Sequence, residues 1–98
     1  MGDDMKLLMI IVDTACREEV EVLFQHNGVT GYSEIPNAHG VGESGVRMGS
    51  GAHPKTSSIF FTVVEADQVA PLKKALCSYC DACKKDMRMI QWGVEEVM

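Results

Sequence analysis

Apolar positions along this chain alternate between two periods. Residues 5–13, Met-Lys-Leu-Leu-Met-Ile-Ile-Val-Asp, form a nearly continuous apolar run that predicts a strand buried on both faces. Thr14 is placed to cap a helix, with Glu18 and Glu19 favourable in its first turns. Cys16, Val20, Leu23 and Phe24 follow at i, i+4, i+7 and i+8, which is one buried helical stripe. Asn27-Gly28 is a helix stop, because Gly28 can turn left-handed. Val29–Ile35 predicts a second strand, and Pro36 opens a long polar stretch. Ser58–Val64 predicts a third strand, again apolar on both faces. Asp67 starts a second helix that tolerates Pro71 near its first turn and carries Val69, Leu72, Leu76, Tyr79 and Cys83 on its core face. Met87–Trp92 predicts a last short strand, followed by a tail from Val94 to Met98.

The order β-α-β-loop-β-α-β is the split βαβ pattern. It predicts an α+β fold, a ferredoxin-like βαββαβ sandwich in which an antiparallel sheet carries two helices on one face. A solvated second face would require alternating apolar and polar residues, and the first and third strands do not alternate. Something must cover that face. With no spare chain to do so, a second copy of the protein is the expected cover, so the chain is expected to be an oligomer.

Ninety-eight residues are the length of one domain, here expected to span 1–98. The longest apolar run, Leu7–Val12, is too short to span a bilayer, and Asp3 and Asp4 stand where a signal peptide needs positive charge. A cytoplasmic protein is expected. The net charge of −5 argues against a nucleic-acid partner, which needs a basic footprint. The basic residues are nevertheless clustered: Arg47 and Lys55, beside His39 and His53, and then Lys84, Lys85 and Arg88 near the end of the chain. If folding joins the two groups, an acidic protein gains one local anion site.

Between Asn37 and Ser58 lie five of the nine glycines, Gly40, Gly42, Gly45, Gly49 and Gly51. Glycine allows close backbone approach, and successive bare N–H groups can converge on an anion. A loop of about twenty residues, here about 37–57, is uncommon in so small a domain and is usually functional.

These segments together resemble the PII-like superfamily, the trimeric signalling proteins of nitrogen and carbon metabolism. Met5-Lys6 with its apolar run resembles the opening strand of the family. Glu18-Glu19-Val20 through Gly28-Val29-Thr30-Gly31-Tyr32 resembles the first helix and the turn after it. Gly40-Val41-Gly42 with Gly45 resembles the base of the T-loop, and Pro54-Lys55 its far end. Lys85-Asp86-Met87-Arg88-Met89-Ile90 and Val94-Glu95-Glu96-Val97 resemble the B-loop and final strand.

The resemblance implies a homotrimer that binds an adenine nucleotide in the clefts between subunits and regulates a partner protein through its glycine-rich loop. A membrane transporter and a metabolic enzyme are the partner classes implied. By position, Gly40, Gly42, Ser44 and Gly45 would lie along the phosphates, Ser33 at the adenine edge, and Lys55 would supply charge. Asp86 and Arg88 would represent the B-loop. That B-loop has no glycine here, so ADP or AMP, with or without magnesium, is expected as readily as ATP. The T-loop contains no tyrosine, which excludes uridylylation at that position.

Four cysteines, three of them in Cys77-Ser-Tyr-Cys80-Asp-Ala-Cys83, do not form the spaced framework of a secreted disulfide protein. Two readings of the cluster stand open. Cys77, Cys80 and Cys83 could bind metal or respond to redox, as in a CutA-like trimer of the same fold, although a fourth ligand is missing. Alternatively they pack as small hydrophobes, with Cys77 at the edge of the apolar face. Cys16 reads as core, and Trp92 reads as strand packing with base stacking as the alternative. No serine has a base and an orienting carboxylate in sequence context, so no enzyme activity is expected.

Overall fold

The computed structural model describes residues 4–42, 45–79 and 87–98, with Tyr79 as backbone only. Strand β1, Met5–Asp13, buries Leu8, Ile10 and Val12 toward two helices while Leu7, Met9 and Ile11 point to the opposite face. It pairs antiparallel on both sides, with β5 (Ser57–Glu65) and with β6 (Arg88–Val94). An edge strand, β2 (Ser33–Ala38), completes the sheet in the order β2-β5-β1-β6. Helices α1 (Arg17–His26) and α2 (Ala66–Tyr79) cross between them, giving the expected ferredoxin-like arrangement. A separate two-stranded hairpin, β3 (Gly40–Gly42) with β4 (Gly45–Arg47), rises from the long glycine segment.

The core is the layer between the sheet and the helices. Val20 and Phe24 of α1 and Leu72 and Leu76 of α2 meet Leu8, Ile10, Val12 and Phe60, all essentially without solvent contact. Phe24 packs edge-on against Phe60 with ring centroids 5.6 Å apart and tilted against Tyr32 at 5.1 Å. A polar strap then fixes α1 to the edge strand. Arg17 grips Glu34 of β2 through two hydrogen bonds, at 2.6 and 2.5 Å, and also reaches Glu21 at 3.1 Å. Tyr32 donates to Glu21 in turn.

Several boundaries differ from the sequence expectation, each for a local reason. Asp13, not Thr14, caps the first helical turn: its carboxylate accepts from the Ala15 amide at 2.9 Å. Thr14 instead meets the Thr56 hydroxyl at 2.7 Å, and a 3-10 turn over Thr14–Cys16 precedes α1. The second strand begins at Ser33 instead of Val29, because the Val29 amide still bonds back to the Phe24 carbonyl and its side chain joins the core. That strand then runs through Pro36 to Ala38, with its register broken between Ile35 and Ala38. Proline cannot donate to a ladder and is tolerated only on such an edge, and Asn37 takes a positive φ of 55° beside it. Helix α2 starts one residue early, at Ala66, because the Gln68 side chain reaches back to the Glu65 amide at 2.9 Å in the manner of a capping box. Pro71 lies in its second turn, on the exposed side, where the missing N–H costs a hydrogen bond but no packing. The last strand ends at Val94, two residues later than expected.

The second face of the sheet is apolar, as its lack of alternation required. Leu7, Met9 and Ile11 of β1 stand beside Phe61, Val63, Ile90 and Trp92, and Val63, Ile90 and Trp92 are each 44–45% exposed. Nothing in the described chain covers them. Among the described residues, no helix is long and apolar enough to cross a membrane.

Candidate functional site

The glycine segment is not a structureless loop. Gly40 pairs with Arg47, Val41 with Val46 and Gly42 with Gly45, so the segment folds back on itself as a short antiparallel hairpin. Gly45 has a φ of +105°, which only glycine adopts without strain. Gly40 and Gly42 are different. Their φ values are ordinary, and a Cβ built on either meets nothing within 4 Å. Neither conformation nor packing among the described residues demands glycine there; bare backbone at these two positions leaves room for something that approaches from outside.

The hairpin is anchored by charge. Arg47, only 6% exposed, places Nη1 2.7 Å from the Asp13 carboxylate and 3.5 Å from the Thr56 carbonyl. Burial of Asp13 pushes its pKa up, but hydrogen bonds from Arg47 and the Ala15 amide, together with the charges of Arg47 and Lys55, outweigh this and hold it below the ordinary 3.8. The ion pair ties β4 to the end of β1. Beside it, Thr56 links Thr14 to Asn37, whose Oδ1 lies 3.4 Å from the Thr56 hydroxyl. The turn before β5 is closed by Met48 and Ser50 amides on the His53 carbonyl.

Between the hairpin and the open face of the sheet lies a cavity of about 250 Å³. Gly40, Val41, Gly42 and Gly45 form one wall, with His39 and Arg47 at its base. Ile11 and Ile59 form the floor, and Arg88 of β6 closes the far side. The expected meeting of the mid-chain and late basic groups therefore occurs, through Arg47 and Arg88. An apolar floor, bare amide backbone and a guanidinium suit a flat heterocycle carrying an anionic group.

Of the residues singled out from sequence, Gly40, Gly42, Gly45 and Arg88 line this cavity. Ser33 does not. It sits further along the open face on β2, opposite Phe61, in a shallow depression with Leu7 and Val63. Lys55 is exposed in the turn before β5, close enough for its charge to act on Asp13. Ser44, Asp86, Cys80 and Cys83 lie outside the described residues. Cys77 is an exposed free thiol at the end of α2, remote from this cavity and lining another. Cys16 is buried as expected and is also disulfide-bonded, which its core reading did not include. Trp92 faces the open side of the sheet beside Leu7, not the hairpin cavity. Arg47 and His39, expected in the mid-chain basic group of an anion site, also line the cavity, but the anchoring of Arg47 on Asp13 was not expected. The signal for Arg47 was weak, because its role depends on Asp13 far away in sequence.

No protein-family model matches the sequence, and no curated protein matches it. Solved structures do. The chain is similar to CPII, a nitrogen regulatory PII-like protein from Thiomonas intermedia K12, in its form bound to ADP and bicarbonate: 26% identity, covering 92% of this chain and 89% of that one, TM-score 0.69. The form of CPII bound to ADP, AMP and bicarbonate aligns over 93% of this chain and 94% of that one, at 23% identity and TM-score 0.72. A DUF3240-family protein from Shewanella baltica OS155 aligns over 100% of this chain and 97% of that one, at 19% identity and TM-score 0.74. The chain shares the fold of these PII-like proteins.

Proposed function

We propose that this chain is a non-catalytic, cytoplasmic signalling protein that binds an adenine nucleotide between the subunits of a homotrimer. The observation that carries the reading is the cavity under the hairpin. There Gly40 and Gly42 present bare backbone that nothing among the described residues requires, opposite a guanidinium brought from the other end of the sequence. At about 250 Å³ this cavity is smaller than the roughly 300–1,000 Å³ of ordinary ligand pockets. A second subunit packed on the apolar sheet face would supply the missing wall, which unites the exposed face and the incomplete site in one assembly.

In this reading the amides of Gly40, Gly42, Ser44 and Gly45 follow the phosphates, and Arg88 and Lys55 neutralise them. Ser33 and Asp86 reach the nucleotide from positions set by the assembly. CPII binds ADP, AMP and bicarbonate, which supports ADP or AMP ahead of ATP as the ligand here. Nucleotide contacts made by only one arrangement of the hairpin would shift its population, and so its affinity for a regulated partner such as a transporter or a metabolic enzyme.

The test is calorimetric titration of purified protein with ADP, AMP and ATP, with and without magnesium and bicarbonate. One saturable site per subunit is expected. Gly42→Val, which meets open space in the unliganded chain, and Arg88→Gln should each weaken binding at least about tenfold at unchanged melting temperature. No heat from any of the three nucleotides would overturn the reading.

A further inference from the structure

The opposite face of β6 carries a second cavity, of about 340 Å³, between that strand and α2. Three sulfur side chains line it: Cys77 from the last turns of α2, Met87 just before β6 and Met89 within it. Strand period puts Met87 and Met89 on one face and Arg88 on the other, and Arg88 indeed lines the hairpin cavity. On α2, Val69, Lys73, Leu76 and Cys77 share the facing side at helical spacing. Leu8, Val69 and Leu76 add apolar wall, and Lys73 and Gln91 are the polar residues that line it.

We propose that this groove binds a soft monovalent metal ion, with Cu(I) as the ion to test, through the Cys77 Sγ and the Sδ atoms of Met87 and Met89. Thiolate and thioether are the ligands that select Cu(I), whereas hard or borderline dications want carboxylate and imidazole. Among the described residues neither carboxylate nor imidazole lines this groove, and no three His, Cys, Asp or Glu side chains cluster. Charge points the same way. On binding, the Cys77 thiol releases its proton to solvent, and thiolate with Cu(I) is then neutral, which apolar walls and the neighbouring Lys73 tolerate. A dication on one thiolate would leave a net positive charge there. Cys77 is exposed and free, so entry needs no opening of the core. The ligand set differs from a cysteine-only run along the helix, and the site is independent of the nucleotide reading because it lies across the sheet from it.

The experiment is anaerobic titration of the full chain, its Cys16 disulfide kept intact, with Cu(I) against the chromophoric competitor bicinchoninate, with Zn(II) titrated in parallel. One Cu(I) per chain is expected, held more tightly than Zn(II). Cys77→Ser, Met87→Leu and Met89→Leu should each weaken it at least about tenfold. The methionine substitutions conserve volume and keep the fold, which melting curves check directly. ADP calorimetry on the same variants should be unchanged, so failure of the nucleotide reading would be seen separately. Failure to retain Cu(I), or an affinity lowered by Cys77→Ser but untouched by both methionine changes, would overturn the proposal.

Discussion

Replacing Arg47 by methionine tests how the glycine hairpin is held. Methionine preserves much of the buried stem volume while removing the charge from the 2.7 Å contact with Asp13. Unit charges about 4 Å apart attract by about 4 kcal/mol at an effective dielectric constant of about 20. Desolvation of a guanidinium that is only 6% exposed offsets part of this. The variant also leaves Asp13 with the Ala15 amide as a remaining partner and some access to water, since its side chain is 17% exposed. The net loss should therefore be about 2 kcal/mol, the scale of a charged hydrogen bond and below that of a fully buried ion pair. Urea denaturation at pH 7 measures it, and a cycle with Asp13→Asn isolates the pair.

The pH dependence supplies an independent check. Arg47 helps hold the Asp13 pKa below 3.8 in the folded chain, so the pair contributes stability that is fully present above that value. This contribution is lost as pH falls through the lowered folded value. The difference between wild type and Arg47→Met should accordingly be largest at neutral pH and shrink below about pH 3.8. A difference of the same size at pH 3 and pH 7 would refute the ion-pair account and leave packing as the cause. Nucleotide affinity should fall with stability, because the pair fixes one wall of the cavity.

Two further outcomes follow from the geometry. Gly49→Ala places a Cβ 3.1 Å from the Thr56 methyl and 3.3 Å from His39 Nε2 at a φ of +64°, so it should cost about 1–2 kcal/mol in denaturant titration. Gly40→Ala, with open space and ordinary φ, should cost far less. On the open sheet face, Val63→Asp should reduce the mass seen by light scattering to that of one chain and move the Trp92 emission to the red, since both residues flank Leu7 there.

Helix and strand identity were legible because they depend on local periodicity. The stripe Cys16-Val20-Phe24 is buried as its spacing required, and β1 and β5 are apolar on both faces as their lack of alternation required. Boundaries were not legible where a side chain chose among competing local bonds. Asp13 and Thr14 can both cap, and Thr56, far along the chain, drew Thr14 away. Val29 looked like strand because it is apolar, but it is apolar in order to close the core behind α1.

The candidate site divides in the same way. Sequence alone determined that the glycine segment matters, since five glycines within one connection are a departure any composition count reveals. Sequence also placed basic residues in two groups and required that the second sheet face be apolar. Only the tertiary structure decided that the segment pairs with itself, that Arg47 spends its charge on Asp13, and that Arg88 faces the hairpin while Met87 and Met89 face α2. Periodicity fixes which residues share a face of their own element. Which elements then meet is set by long-range strand pairing, and no local stretch of sequence carries that information.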